Sequence, residues 1–95
     1  MRKHFIVSLI RNGILGGGIM ADAEAITYHT GKVTVPNAYR RLVMRYADIC
    51  GVAEGRMFIL PTVTIQMRDG EEYKFAVFFG RKRLVSFLRD KVDAV

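Results

Sequence analysis

The sequence predicts a mainly β domain that ends in a single amphipathic helix. Three observations carry that expectation. Thr62 to Phe79 alternates apolar and polar residues on both sides of Asp69-Gly70, as a hairpin does. Upstream, shorter β-leaning runs recur between turn residues. After Gly80 the apolar spacing lengthens to that of a helix.

Taken in order, Phe5 to Ile10 is the first strand. Arg2 and Lys3 precede it and Ala21-Asp-Ala23 imitates a cleavage site, so a secretory leader has to be weighed. Arg11 and Asn12 cut the apolar run to six residues, too short for a usual leader and for a bilayer span. The segment is therefore expected in the mature fold, as an edge able to pair with another chain and make a homodimer. Gly16 to Ala21 and Ala25 to Thr30 follow as strands, split by the polar Asp22-Ala-Glu24. In the latter, Ile26 and Tyr28 alternate with Thr27 and His29, the period of a half-buried strand.

Between the first two strands, Asn12 to Asp22 holds Gly13, Gly16, Gly17 and Gly18. A phosphate loop needs Gly-Lys-Ser/Thr leading into a helix, and a dinucleotide fingerprint sets its glycines between a strand and a helix. Here Ile19-Met-Ala21 follows, without helical spacing. The glycines are expected to serve a sharp bend or a close backbone approach.

Val35 to Gly51 reads two ways. Pro36 near a start, Tyr39, Leu42, Val43, Tyr46 and Ile49 at helical spacing, and Gly51 as a stop describe a helix. Arg41 to Tyr46 equally describes a strand followed by a turn at Ala47-Asp48. Pattern by itself leans to the helix.

The hairpin can be read more finely. A two-residue turn at Asp69-Gly70 would set Met67 against Glu72 and Ile65 against Lys74, mixing the two faces. A three-residue loop, Arg68-Asp69-Gly70 with Gly70 left-handed, sets Ile65 against Tyr73, Val63 against Phe75 and Thr64 against Lys74. A slip of one residue flips every side chain, so the apolar pattern selects the longer loop. Leu84, Phe87, Leu88 and Val92 then line one side of the final helix, with Arg83, Arg89, Asp90 and Asp93 between them. The expected core is Ile26, Tyr28, Leu42, Met44, Ile65, Phe75, Val77, Leu84, Phe87 and Leu88.

With 95 residues, the chain is expected to be one domain, residues 1–95, holding one modest core. A single cysteine, Cys50, excludes an internal disulfide and fits a reducing compartment. Between Ile49 and Gly51 it reads as a small core residue rather than a nucleophile. His4, His29 and Cys50 match no zinc-ligand spacing, and Ser8 and Ser86 lack an elbow sequence. The expectation is a non-enzyme without metal or cofactor.

Arg45-Tyr-Ala-Asp-Ile49, Met57-Phe-Ile-Leu-Pro61, Asp69-Gly70 with Tyr73-Lys-Phe75, and Phe79-Gly-Arg81 opening a helix resemble, in order and spacing, the bacterial PH-like and GRAM domains. The resemblance spans Gly13 to Lys91. It implies a bent antiparallel sheet, a partly open barrel of about seven strands, capped by one C-terminal helix. It also puts Arg41 to Tyr46 in a strand, with a corner at Ala47 to Cys50. Many PH domains hold inositol phosphates with basic residues of the first hairpin, where this chain has only Arg11. Phe87 stands where the eukaryotic PH helix has tryptophan.

The net charge of +6 points to anionic partners or simply to solubility. Two basic groups are the candidate anionic-surface residues: Arg81, Lys82 and Arg83 at the helix start, where cations oppose the dipole, and Arg40, Arg41 and Arg45. A salt bridge to Asp90 or to another strand would also explain the first group. The chain thus reads as a cytoplasmic, non-catalytic module for a protein partner or itself, with an anionic lipid surface as a further partner. The alternative is a small basic α+β nucleic-acid-binding protein using residues 36–50 as a helix.

Overall fold

The computed structural model describes residues 3–10, 14–30 and 40–94. It contains seven strands: β1 (Lys3–Ile10), β2 (Ile14–Ala21), β3 (Ala25–His29), β4 (Arg41–Arg45), β5 (Ile49–Met57), β6 (Leu60–Met67) and β7 (Glu72–Ala76). A 3-10 turn, Tyr46–Asp48, joins β4 to β5, and helix α1 (Arg81–Asp93) ends the chain. All pairs are antiparallel, in the order β4-β3-β2-β1-β7-β6-β5, and the sheet does not close.

The β6–β7 register is the one the apolar pattern selects. Val63 faces Phe75, Thr64 faces Lys74 and Ile65 faces Tyr73. Met67 N–H donates to the Glu71 carbonyl at 2.8 Å, which leaves Arg68, Asp69 and Gly70 as the loop. Gly70 has φ 95°, open to glycine at no steric cost. β7 stops at Ala76, short of the expected Phe79. Val77 N–H still bonds the Pro61 carbonyl, but Phe78 and Phe79 leave the ladder and are exposed.

Residues 41–50 do not form an α-helix. Arg41–Arg45 is a strand because β3 offers it a matching edge, pairing Ile26 with Met44 and Tyr28 with Leu42. Inward apolar pairs and a full backbone ladder outweigh a helical spacing that would bury only one stripe. Positions 36–39 of the alternative helix lie outside the described residues, as do Arg11 and Gly13. The corner is shorter than the resemblance implied, since Ile49 and Cys50 already belong to β5.

β1 is not an edge. It pairs with β2 along its whole length and with β7 through Ser8–Ala76 and Leu9–Phe75. Within the expected dimer contact, Phe5 to Ile10, Ser8 and Leu9 are thus paired on both sides. The inward residues of every strand meet Leu84, Val85 and Leu88 of α1 in one core. Eight of the ten expected core residues are buried, while Leu42 and Phe87 are half-buried and pack on it. Leu42 sits on the last strand of the sheet, with a neighbouring strand on one side among the described residues. Phe87 stands on the helix shoulder against Phe5 and Tyr46, both rings at 6.2 Å.

The glycines of β2 answer to packing. A Cβ on Gly17 would run into the His29 carbonyl and approach the Tyr28 ring to 3.0 Å. One on Gly18 would lie 2.7 Å from His4 Nε2. Across Gly18 the His4 and His29 rings approach to 5.8 Å.

Candidate functional site

Helix α1 starts without a side-chain cap, on Gly80 at φ 77°, and its first turn carries three cations and no acid. These cations part company. Arg81 turns to β5, where it donates to the Gly55 carbonyl at 2.8 Å and meets the Glu54 carboxylate at 3.5 Å. The expected salt bridge thus goes to another strand. Arg89 reaches the Val52 carbonyl of the same strand at 3.4 Å. Together they tie α1 to β5, and Arg89 covers a carbonyl on the open side of that edge strand. Arg81 is a structural tie rather than a free surface charge.

Arg83 lies over the Phe5 ring at 5.4 Å, and Lys3 and Lys91 lie over the Phe87 ring at 5.1 and 5.7 Å. Lys3, His4, Phe5 and Arg83 line a shallow depression there. Lys82 is exposed, beside Val85, Ser86 and Arg89. The second basic group is on β4: Arg41 and Arg45 are exposed on the outer face, with exposed Arg40 just before them. The six residues do not form one site.

Cys50 is exposed, not a core residue. The register shifts between Ile49 and Gly51, so Cys50 is the extra residue of a bulge while Ile49 keeps the inward place. Among the described residues no three His, Cys, Asp or Glu side chains gather as metal ligands.

Sequence reasoning missed an apolar end of the sheet. The β5–β6 loop is two residues, Phe58 and Ile59, which are 95 % and 87 % exposed. Phe58 has φ 57°, a conformation usually left to glycine, asparagine or aspartate. Register puts the β7–α1 corner at the same end of the sheet: Thr62 faces Ala76 and Val77 bonds Pro61, and Phe78 and Phe79 follow directly. Phe79 is 85 % exposed. Arg56 precedes this tip, and Lys82 and Arg83 follow the corner. The available signal was Phe58-Ile59 at the centre of a chain reversal, and Phe78-Phe79 directly before Gly80.

Two buried phenols tie neighbouring segments together. Tyr28 donates to the Leu15 carbonyl at 2.6 Å and Tyr46 to the Asp22 carbonyl at 2.7 Å. Burial, reinforced by the Asp22 charge, pushes the Tyr46 hydroxyl up to about 12, and burial raises Tyr28 too.

No protein-family profile and no curated protein matches this chain. Solved structures do match it in shape. One is the crystal structure of the C-terminal domain of an unknown protein from Leishmania infantum, with TM-score 0.79 and 9 % identity over 95 % of this chain and 81 % of that one. At that identity the likeness is one of fold. No helix among the described residues is long and apolar enough to cross a membrane.

Proposed function

We propose that this chain is a non-catalytic, PH-like binding module that docks on an anionic membrane surface through the Phe58-Ile59 tip and the Phe78-Phe79 corner. The observation that carries the reading is the collection of four exposed large apolar side chains at one end of the sheet. They project from a turn and a corner instead of lining a groove, so they suit a surface that yields to insertion. Placing a phenyl at φ 57° costs roughly 1–2 kcal/mol of backbone strain, which packing inside the protein does not repay at this exposure.

A side chain fully withdrawn from water contributes about 1.5–3 kcal/mol, and each cation near a charged leaflet about 1 kcal/mol. Arg56, Lys82 and Arg83 are exposed at or near this end, while Glu54 is engaged by Arg81. The sum is a reversible, salt-sensitive attachment. The nucleic-acid alternative needed a helix over residues 36–50, of which 41–50 are strand, turn and strand.

The test is cosedimentation with phosphatidylcholine vesicles with and without phosphatidylglycerol. Wild type should bind the anionic vesicles and leave them in high salt. Phe58→Asp with Ile59→Asp, on a solvent-exposed loop, should keep the fold and lose binding, and Lys82→Ala with Arg83→Ala should weaken it. Equal binding by the aspartate variant, or none by wild type, would refute membrane docking.

A further inference from the structure

The sheet has two ends, and the structure treats them differently. On β5 the outward Val52 carbonyl takes a bond from Arg89, and the Glu54 carboxylate is paired with Arg81. β4 pairs with β3 on one side and is the last strand on the other.

Its ladder can be followed residue by residue. Thr30 N–H bonds the Arg40 carbonyl and Tyr46 N–H bonds the Glu24 carbonyl, so the even-numbered residues carry the bonds to β3. By antiparallel alternation, Leu42 and Met44 face β3 with their backbone groups, and Arg41 and Val43 turn both of theirs outward. Among the described residues no hydrogen bond from another element reaches them. Beside Val43 runs a depression lined by Met67, Arg68, Tyr73, Asp48 and Asp69. Arg68 is held across it by the Ala47 carbonyl at 2.9 Å.

We infer that β4 takes an extended acidic segment of another protein as an eighth strand. The backbone of Arg41 and Val43 supplies the ladder, and side chains select the guest. Arg41, Val43 and Arg45 share the outer face and are exposed, with Val43 at 51 %. Directly opposite residues on a sheet interact, and opposite charges there are favourable. The guest therefore carries acids opposite Arg41 and Arg45 and an apolar residue opposite Val43. Its two intervening side chains turn inward beside half-buried Leu42 and towards Met67 and Tyr73, where apolar groups are suited. The pattern is acid–apolar–apolar–apolar–acid, and it reads the same in either chain direction. Acids at its ends also match a chain of net charge +6.

A second copy of this chain fits worse. Antiparallel β4–β4 pairing about Val43 would set Arg41 of one copy against Arg45 of the other, and like charges directly opposite destabilise a sheet. This inference is independent of membrane docking, since β4 and the Phe58-Ile59 tip belong to different parts of the sheet.

The experiment is an amide NMR titration of the whole chain with the capped peptide Glu-Leu-Val-Leu-Glu, and with its lysine-ended counterpart Lys-Leu-Val-Leu-Lys. The acidic peptide should shift the Arg41 and Val43 amides and slow their hydrogen exchange, with far less effect on Leu42 and Met44, already bonded to β3. The lysine-ended peptide should not bind. Arg41→Glu with Arg45→Glu should reverse the preference by tenfold or more, about 1.4 kcal/mol. This exchange of partners also shows that the variant is folded. Shifts that miss β4 and fall away from the Met67–Tyr73 depression, equal binding of both peptides, or failure of charge reversal to swap the preference would overturn the inference. So would concentration-dependent protection of the β4 amides without peptide, which would make a second copy the occupant. Absence of vesicle binding by wild type, with peptide binding intact, would refute membrane docking alone.

Discussion

Replacing each of three adjacent glycines by alanine perturbs one strand in three different ways. Gly16, Gly17 and Gly18 all lie in β2 without positive φ, so alanine fits each backbone and the surroundings decide the cost. At Gly17 the new methyl meets the His29 carbonyl and the Tyr28 ring. β3 cannot simply draw back. Tyr28 is tied to the Leu15 carbonyl at 2.6 Å and Thr30 to the Gly16 carbonyl at 2.8 Å, both in β2. Overpacking costs about 1–3 kcal/mol and straining one of these hydrogen bonds about 1 kcal/mol more, for a total of about 2–4 kcal/mol. In a domain of this size that lowers Tm by about 10–20 °C.

At Gly18 the obstacle is the far end of the His4 side chain, which is exposed and can turn away, with the Phe5 carbonyl at 3.3 Å behind it. The cost there is about 1 kcal/mol. At Gly16 the nearest atom is Ser8 Oγ at 3.9 Å, ordinary contact. Alanine should be neutral or gain about 0.5–1 kcal/mol by stiffening the unfolded chain. Thermal and urea unfolding of the three variants give the ranking directly. Equal midpoints for Gly16→Ala and Gly17→Ala would refute the view that β2–β3 packing requires glycine at position 17.

Phe87→Ala should cost about 2–3 kcal/mol, below the range for a fully buried aromatic, because Phe87 is half-buried against Phe5 and Tyr46; urea unfolding measures it. The raised hydroxyl of Tyr46 fixes a sign for alkaline unfolding. Between the ordinary value of 10.0 and about 12 the unfolded chain loses a proton that the folded chain keeps, so stability is full below this window and falls as pH rises through it. Tyr46→Phe should be less stable at neutral pH, having lost the bond to Asp22, yet show a shallower decline above pH 10, read by urea midpoints across that range.

The sequence by itself determined the local elements. The β6–β7 register and the glycine at φ 95° follow from alternation about Asp69-Gly70, because one buried face tolerates no slip. The α1 stripe of Leu84 and Leu88 follows equally from spacing within one element. Tertiary structure decided whatever depends on which element lies beside which. Residues 41–45 carry apolar groups compatible with either period, and the edge of β3 made them a strand. Nothing local marks β1 as interior, because its second partner, β7, lies more than sixty residues away along the chain. Arg81, Lys82 and Arg83 look alike in sequence, but β5 bonds the first, Phe5 lies under the third, and Lys82 remains exposed. Phe58-Ile59 and Phe78-Phe79 become one apolar end only through the pairing of Thr62 with Ala76. The physical reason is common to these cases: alternation and turn chemistry act over a few residues, whereas a strand's neighbours are chosen by burial summed over the whole sheet.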